Sequence, residues 1–163
     1  MKETLVQHLK IHFNYSFDML EKMIEACPDN LWNQKHGGFI FWQQLLHAFT
    51  GNKYWTRLNE SEFMEPFSER NVYPDLEKDP EGEIAKNEMQ NLANEIRKQN
   101  ETYFSGKYDD WLMEKSRVLS TIANIDIIEM QLRHIQYHVG HCNCILRENN
   151  VKAVEWIDFL GQS

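Results

Sequence analysis

The segment LRHIQYHVGHCNC, residues 132–144, places His134, His138 and His141 on a background that otherwise reads as a buried helix. Each helical residue advances about 100°, so His138 lies about 40° from His134, and His141 about 20° to its other side. The same stripe holds Ile127, Gln131 and Ile145, and a stripe bounded by isoleucines faces a core. Buried imidazoles need partners. Two of them one turn apart can converge on a cation, whereas two protonated rings at that spacing repel each other. Zinc and similar ions accept neutral imidazole and require at least a third ligand.

A third ring is available in an earlier helical stretch. His47 in WQQLLHAF follows two leucines and precedes Ala48 and Phe49, so it also points inward. One histidine from that helix and two from the last would make a three-nitrogen site, of the kind that bundle cores build from facing helices. His8 and His12 share the four-residue spacing on the first helix and form a competing pair, with His12 near the apolar face and His8 at its margin. His36 precedes two glycines and reads as a solvated side chain in a turn.

Four stretches of helical periodicity would have to position these rings, and almost nothing alternates like a strand. The first runs from about Lys2 to Ala26, with Leu5, Leu9, Phe13, Leu20, Met23 and Ile24 on one face, and Cys27-Pro28 closes it. The second spans about Phe39 to Leu58, opened by the flexible pair Gly37-Gly38; Gly51 weakens its centre by about 1 kcal/mol relative to alanine, so packing must hold it. The third covers about Glu81 to Phe104, with an apolar stripe of Ile84, Met89, Leu92, Ile96 and Tyr103. The fourth covers about Ile125 to Arg147, with Asn124 as its N-cap and Asp126 in the first turn.

Between them lie two long connections. Residues 59–80 are acidic, aperiodic and hold three of the four prolines, so they read as a surface link, as do residues 105–120. The tail VKAVEWIDFLGQS is expected to pack across a bundle end through Trp156 and Phe159. The expected fold is all-α, a single four-helix bundle domain over residues 1–163, with long links that exclude simple up-down-up-down connectivity.

Seventeen basic against 25 acidic residues give a net charge of -8, which repels phosphate backbones and excludes nucleic acid as a direct partner. No segment approaches the roughly 18 apolar residues of a membrane span, and the N-terminus lacks a signal-like apolar run. A soluble, cytoplasmic protein is expected. The three cysteines, Cys27, Cys142 and Cys144, have no framework spacing and read as small apolar fillers in a reducing compartment. Trp32, Trp42, Tyr54, Trp55 and Trp111 read as core or bundle-end packing.

The combination of LLHAF in the second helix with RHIQYHVGH in the fourth resembles the DinB-like superfamily of metal-binding four-helix bundles. The resemblance covers essentially the whole chain, and Gly140-His141, ILRENN and the Trp-containing VEWIDFL are also similar to the family pattern. It implies an up-down-down-up bundle, a homodimer, and a divalent metal ion, zinc or nickel, held by His47, His134 and His138. Gln131 and His141 are candidates to orient ligands or substrate. Some members transfer low-molecular-weight thiols such as bacillithiol or mycothiol, one is a maleylpyruvate isomerase, and many have no known activity.

Three neutral imidazoles leave a dication its charge and an open position, which lowers the pKa of bound water from about 15.7 toward 7 and activates a thiol likewise. The leading expectation is a metal-dependent thiol S-transferase acting on a small thiol and an electrophile. The alternatives are a metal-dependent hydrolase, and a non-enzymatic dimeric stress-response or binding protein with a structural or vestigial metal. No general base can be assigned from the sequence.

Overall fold

The computed structural model describes residues 4–59 and 63–158. It is all-α apart from one two-stranded ribbon, with helices α1 (Leu5–Ala26), α2 (Asp29–Trp32), α3 (Phe41–Trp55), α4 (Lys86–Phe104), α5 (Asp109–Met113) and α6 (Asn124–Glu148). Strands β1 (Lys35–His36) and β2 (Phe39–Ile40) pair antiparallel between α2 and α3. The helix α1 packs against α4 and α6, and α3 packs against the same two. Phe17, Leu20 and Met23 of α1 meet Trp42, Leu45 and Phe49 of α3 in the shared core, each contributing about 1.5–3 kcal/mol of burial.

Helix α1 starts where Thr4 and Gln7 cap each other. The Thr4 hydroxyl accepts from Gln7 N at 3.3 Å, and Gln7 Oε1 accepts from Thr4 N at 2.8 Å. The expected start at Lys2 lies outside the described residues. Its end after Ala26 follows from Pro28, which holds Cys27 extended at φ -73°, ψ 120°. The expected apolar face needs one correction: Leu5 is 52% exposed, and its neighbour Val6 is buried instead, against Leu112 and Ile128.

The second expected helix is shorter than its pattern, because its first two residues form β2. Gly37 and Gly38 both take positive φ, at 59° and 96°, which suits a tight hairpin turn and pairs His36 with Phe39. Glycines read as a loose helix entrance therefore make a strand turn. Similarly, residues 81–85 precede α4 rather than belonging to it. Glu88 reaches back to accept from Ala85 N at 2.9 Å, and buried Ile84 gives its carbonyl to Trp32 Nε1 at 2.7 Å.

The link 105–120 contains the short helix α5, whose Asp109 carboxylate accepts from Val6 N at the start of α1, 3.0 Å away. Asn124 is not the cap of α6. It is the first helical residue, and its amide instead donates to Trp111 O at 2.9 Å, while Asp126 accepts from Ala123 N at 2.8 Å. The tail is anchored by Asn143, which exchanges two hydrogen bonds with the Val154 backbone at 2.8 and 3.0 Å. Val154 and Ile157 are buried there, whereas Trp156 is 67% exposed, so the expected Trp156 anchor is wrong; Phe159 lies outside the described residues. No helix among the described residues is long and apolar enough to cross a membrane.

Candidate metal centre

The site forms where α3 meets α6. His47 on α3 and His134 and His138 on α6 each offer one ring nitrogen, and these atoms all lie within 4.8 Å of one another. The ring centres of His47 stand 5.0 Å from His134 and 4.9 Å from His138, and those two stand 4.8 Å apart. Nitrogens sharing a tetrahedral zinc at about 2.1 Å sit roughly 3.4 Å apart, so small ring rotations suffice to close the group on one ion. Among the described residues, no carboxylate or thiol joins the three.

Each ring is held by something specific. His47 Nδ1 lies 2.9 Å from the Pro74 carbonyl. A carbonyl can only accept, so Nδ1 carries the hydrogen and Nε2 is the nitrogen left to face a cation. His134 is seated against Gly51: a Cβ there would fall 2.9 Å from His134 Cε1 and 3.3 Å from Nδ1. The glycine in mid-helix is thus the space into which the His134 ring fits, and its propensity cost is the condition of the site. His138 is the deepest of the three, at 3% exposure.

Electrostatics favour neutral rings. Burial, and then the neighbouring His47, push His134 down to about 4. Burial, with smaller contributions from His134, His47 and His141, pushes His138 down to about 3. Both are therefore unprotonated at neutral pH, the state that ligates metal.

An open cleft of about 540 Å³ adjoins His47 and His134. Gln131, 1% exposed, and Thr50 line it, and Gln131 Oε1 and Thr50 Oγ1 are buried without a hydrogen-bond partner, as are Nδ1 of His134 and of His138. An unpartnered buried polar atom costs about 1–3 kcal/mol. Gln44, Asn52, Asn100 and Tyr103 also bury unpartnered polar atoms, so the convergence of the three rings, rather than these atoms alone, marks the site.

The connection expected to be a surface link builds the other half of this site. Pro74 orients His47, and Phe63, Glu65 and Asp75 line the cleft. The connection is fastened to α3 by Gln43, 2% exposed, whose amide donates to the Lys78 and Asp75 carbonyls at 2.7 and 3.0 Å, with the Tyr73 carbonyl at 3.2 Å. Val72 is fully buried under it. Sequence reasoning missed Gly51, Gln43 and Pro74; the only available signals were a glycine in mid-helix and a polar residue on an inward face.

The other histidines stand apart. His141 packs against the β1–β2 turn, with its Nε2 2.5 Å from where a Gly37 Cβ would sit and its ring 5.9 Å from that of Phe39. It is not a member of the three-histidine group, although its charge contributes to lowering His138. His8 and His12 are exposed on α1 and form no such group among the described residues, and His36, half-buried on β1, contacts Gln34 Oε1 at 3.3 Å. Comparison with protein-family models, with curated proteins and with solved structures finds no match to this chain.

Proposed function

We propose that this protein is a divalent-metal-binding four-helix bundle of the DinB-like kind, with up-down-down-up connectivity, in which His47, His134 and His138 hold one zinc or nickel ion for the transfer of a small thiol to an electrophile. The observation that carries the reading is the convergence of three ring nitrogens, from two helices far apart in sequence, beside an open cleft. A divalent cation bound there supplies Lewis-acid chemistry, lowering the pKa of a thiol or water that reaches it.

The chain's own residues do the rest. Pro74 fixes the tautomer and direction of His47, Gly51 admits the His134 ring, and burial keeps His134 and His138 unprotonated and ready to donate lone pairs. Gln131 and Thr50 line the cleft, with their unpartnered oxygens buried behind its surface. With three neutral ligands and no fourth among the described residues, the site leaves coordination positions for an exogenous group, which favours a reactive over a purely structural ion. A homodimer in the cytoplasm is part of this proposal.

The test has two stages. Chelator-treated protein is titrated with Zn²⁺ and Ni²⁺, with one ion per chain expected for the native protein and none for His134→Ala. Thiol addition to electrophiles is then assayed with and without chelator. Stoichiometric metal without thiol turnover would refute the transferase, and turnover with no added thiol would point to hydrolysis.

A further inference from the structure

The cleft beside the histidines has a composition that selects its occupant. Its apolar walls include Tyr54, Trp55, Phe63 and Met130, and its rim carries Glu65 and Asp75, both exposed carboxylates. None of its lining residues, among the described residues, is a lysine or an arginine. Tyr54 meets Trp55 edge-on at 5.1 Å and Phe63 edge-on at 5.0 Å, so Tyr54 joins the two other rings in one aromatic wall. Aromatic faces with nearby carboxylates attract an organic ammonium through the ring quadrupole and the opposite charge. Arg57 already stacks on Tyr54, 3.9 Å from guanidinium carbon to ring centre, which takes one face of that ring. Trp55 and Phe63 provide the remaining surfaces.

Deeper in, the unpartnered Gln131 Oε1 is a hydrogen-bond acceptor buried in the wall of the cleft, and Thr50 Oγ1 can accept or donate. An anion in this place would face two carboxylates on a chain of net charge -8, with no lysine or arginine among the described lining residues and with Arg57, stacked on Tyr54, already bonded to the Tyr54 carbonyl.

We infer that the cleft binds a small amine-bearing aromatic molecule as its ammonium cation and, with no ion on the histidines, prefers it to the matching carboxylate. The aromatic body lies against Trp55, Phe63 and Met130, and the ammonium group is held by the rings and by Glu65 and Asp75. A volume of about 540 Å³ suits a small molecule. The inference deepens the function proposed above by naming the electrophile's side of the reaction as cationic. It rests on that reading only for what happens to the amine once bound.

The experiment titrates phenethylammonium, 2-phenylethanol and phenylacetate into the full chain by calorimetry. The deciding arm uses chelator-treated protein, so that no carboxylate or amine is captured by an ion. Phenethylammonium is expected to bind at least about tenfold more tightly than phenylacetate, with phenylethanol between them. Glu65→Gln with Asp75→Asn, two exposed changes that spare the core, should weaken the ammonium about tenfold and leave phenylethanol unmoved. Phe63→Ala should weaken all three. Equal binding of phenylacetate, or no saturable binding of the ammonium, overturns the inference. In a second arm, nickel-loaded protein should broaden the ring-proton signals of bound phenethylammonium. Failure of nickel uptake alone sinks the metal reading and leaves the amine result standing.

Discussion

Helix α6 brings two site histidines on a periodic stripe, whereas the connection from Phe63 to Ala85 brings none and has no period at all. Yet both build the same centre. In α6 the 3.6-residue repeat alone fixes that His134 and His138 share a face with Gln131, so the site is written into local geometry. In the connection, position comes from single polar fastenings: Gln43 gripping the Lys78 and Asp75 carbonyls, Pro74 receiving the His47 hydrogen, and Val72 filling the core. The comparison teaches that ligands can be inherited from a helix pattern while their orientation is set by a segment that looks, residue by residue, like solvated loop.

The sharpest way to break this comparison is to remove a periodic ligand. His138→Ala should cost more than about 100-fold in affinity for Zn²⁺ or Ni²⁺, measured by competition with a chromophoric chelator, because three ligands are the minimum for such an ion. The matching change on the other side is Gln43→Leu, which unfastens the connection without touching a ligand. It should lower metal affinity about tenfold and stability by about 1–3 kcal/mol in urea unfolding. If Gln43→Leu left the affinity unchanged, the connection would be a cover and not a part of the centre.

Gly51→Ala separates propensity from site geometry within one helix. The new methyl group would meet His134 at 2.9 Å, so metal affinity should fall several-fold, while helix propensity favours alanine by about 1 kcal/mol. A variant with undiminished melting temperature and weakened metal binding is the expected signature. Smaller still is the acid response of the metal-free protein. Because folding lowers His134 and His138 to about 4 and 3 from an ordinary 6.5, the unfolded chain binds protons first as pH falls. Stability contributed by these two rings is complete above pH 6.5, declines from there to about 3, and is constant below. Urea midpoints at pH 7, 5 and 4 should show a steeper decline than those of a His134→Gln/His138→Gln variant. The least effect belongs to His12→Ala, which lies outside the group and should leave metal binding unchanged.

Much of the helical scaffold was legible in the sequence. The C-terminal end of α1 and both ends of α6 fall close to the expected residues, because Pro28 and the apolar repeats act locally. The all-α class follows from the same repeats. The ribbon at 35–40 was missed because two glycines that permit a loose entrance also permit a positive-φ turn, and only pairing of His36 with Phe39 distinguishes them. Asn124 was misplaced for a similar reason: a residue suited to capping was recruited by the Trp111 carbonyl across a tertiary contact. Trp156 was misplaced because the tail takes an extended path that Asn143 fixes, turning Val154 inward and Trp156 out.

By itself, the sequence determined that His134 and His138 lie on one inward stripe and that His47 lies on another, since helical periodicity is a property of each segment alone. Only the tertiary structure decided that these stripes face each other within ligand distance, that Gly51 leaves room for a ring, and that Pro74 selects the tautomer of His47. Those facts depend on packing between segments distant in the chain, and such contacts leave no periodic trace in either partner.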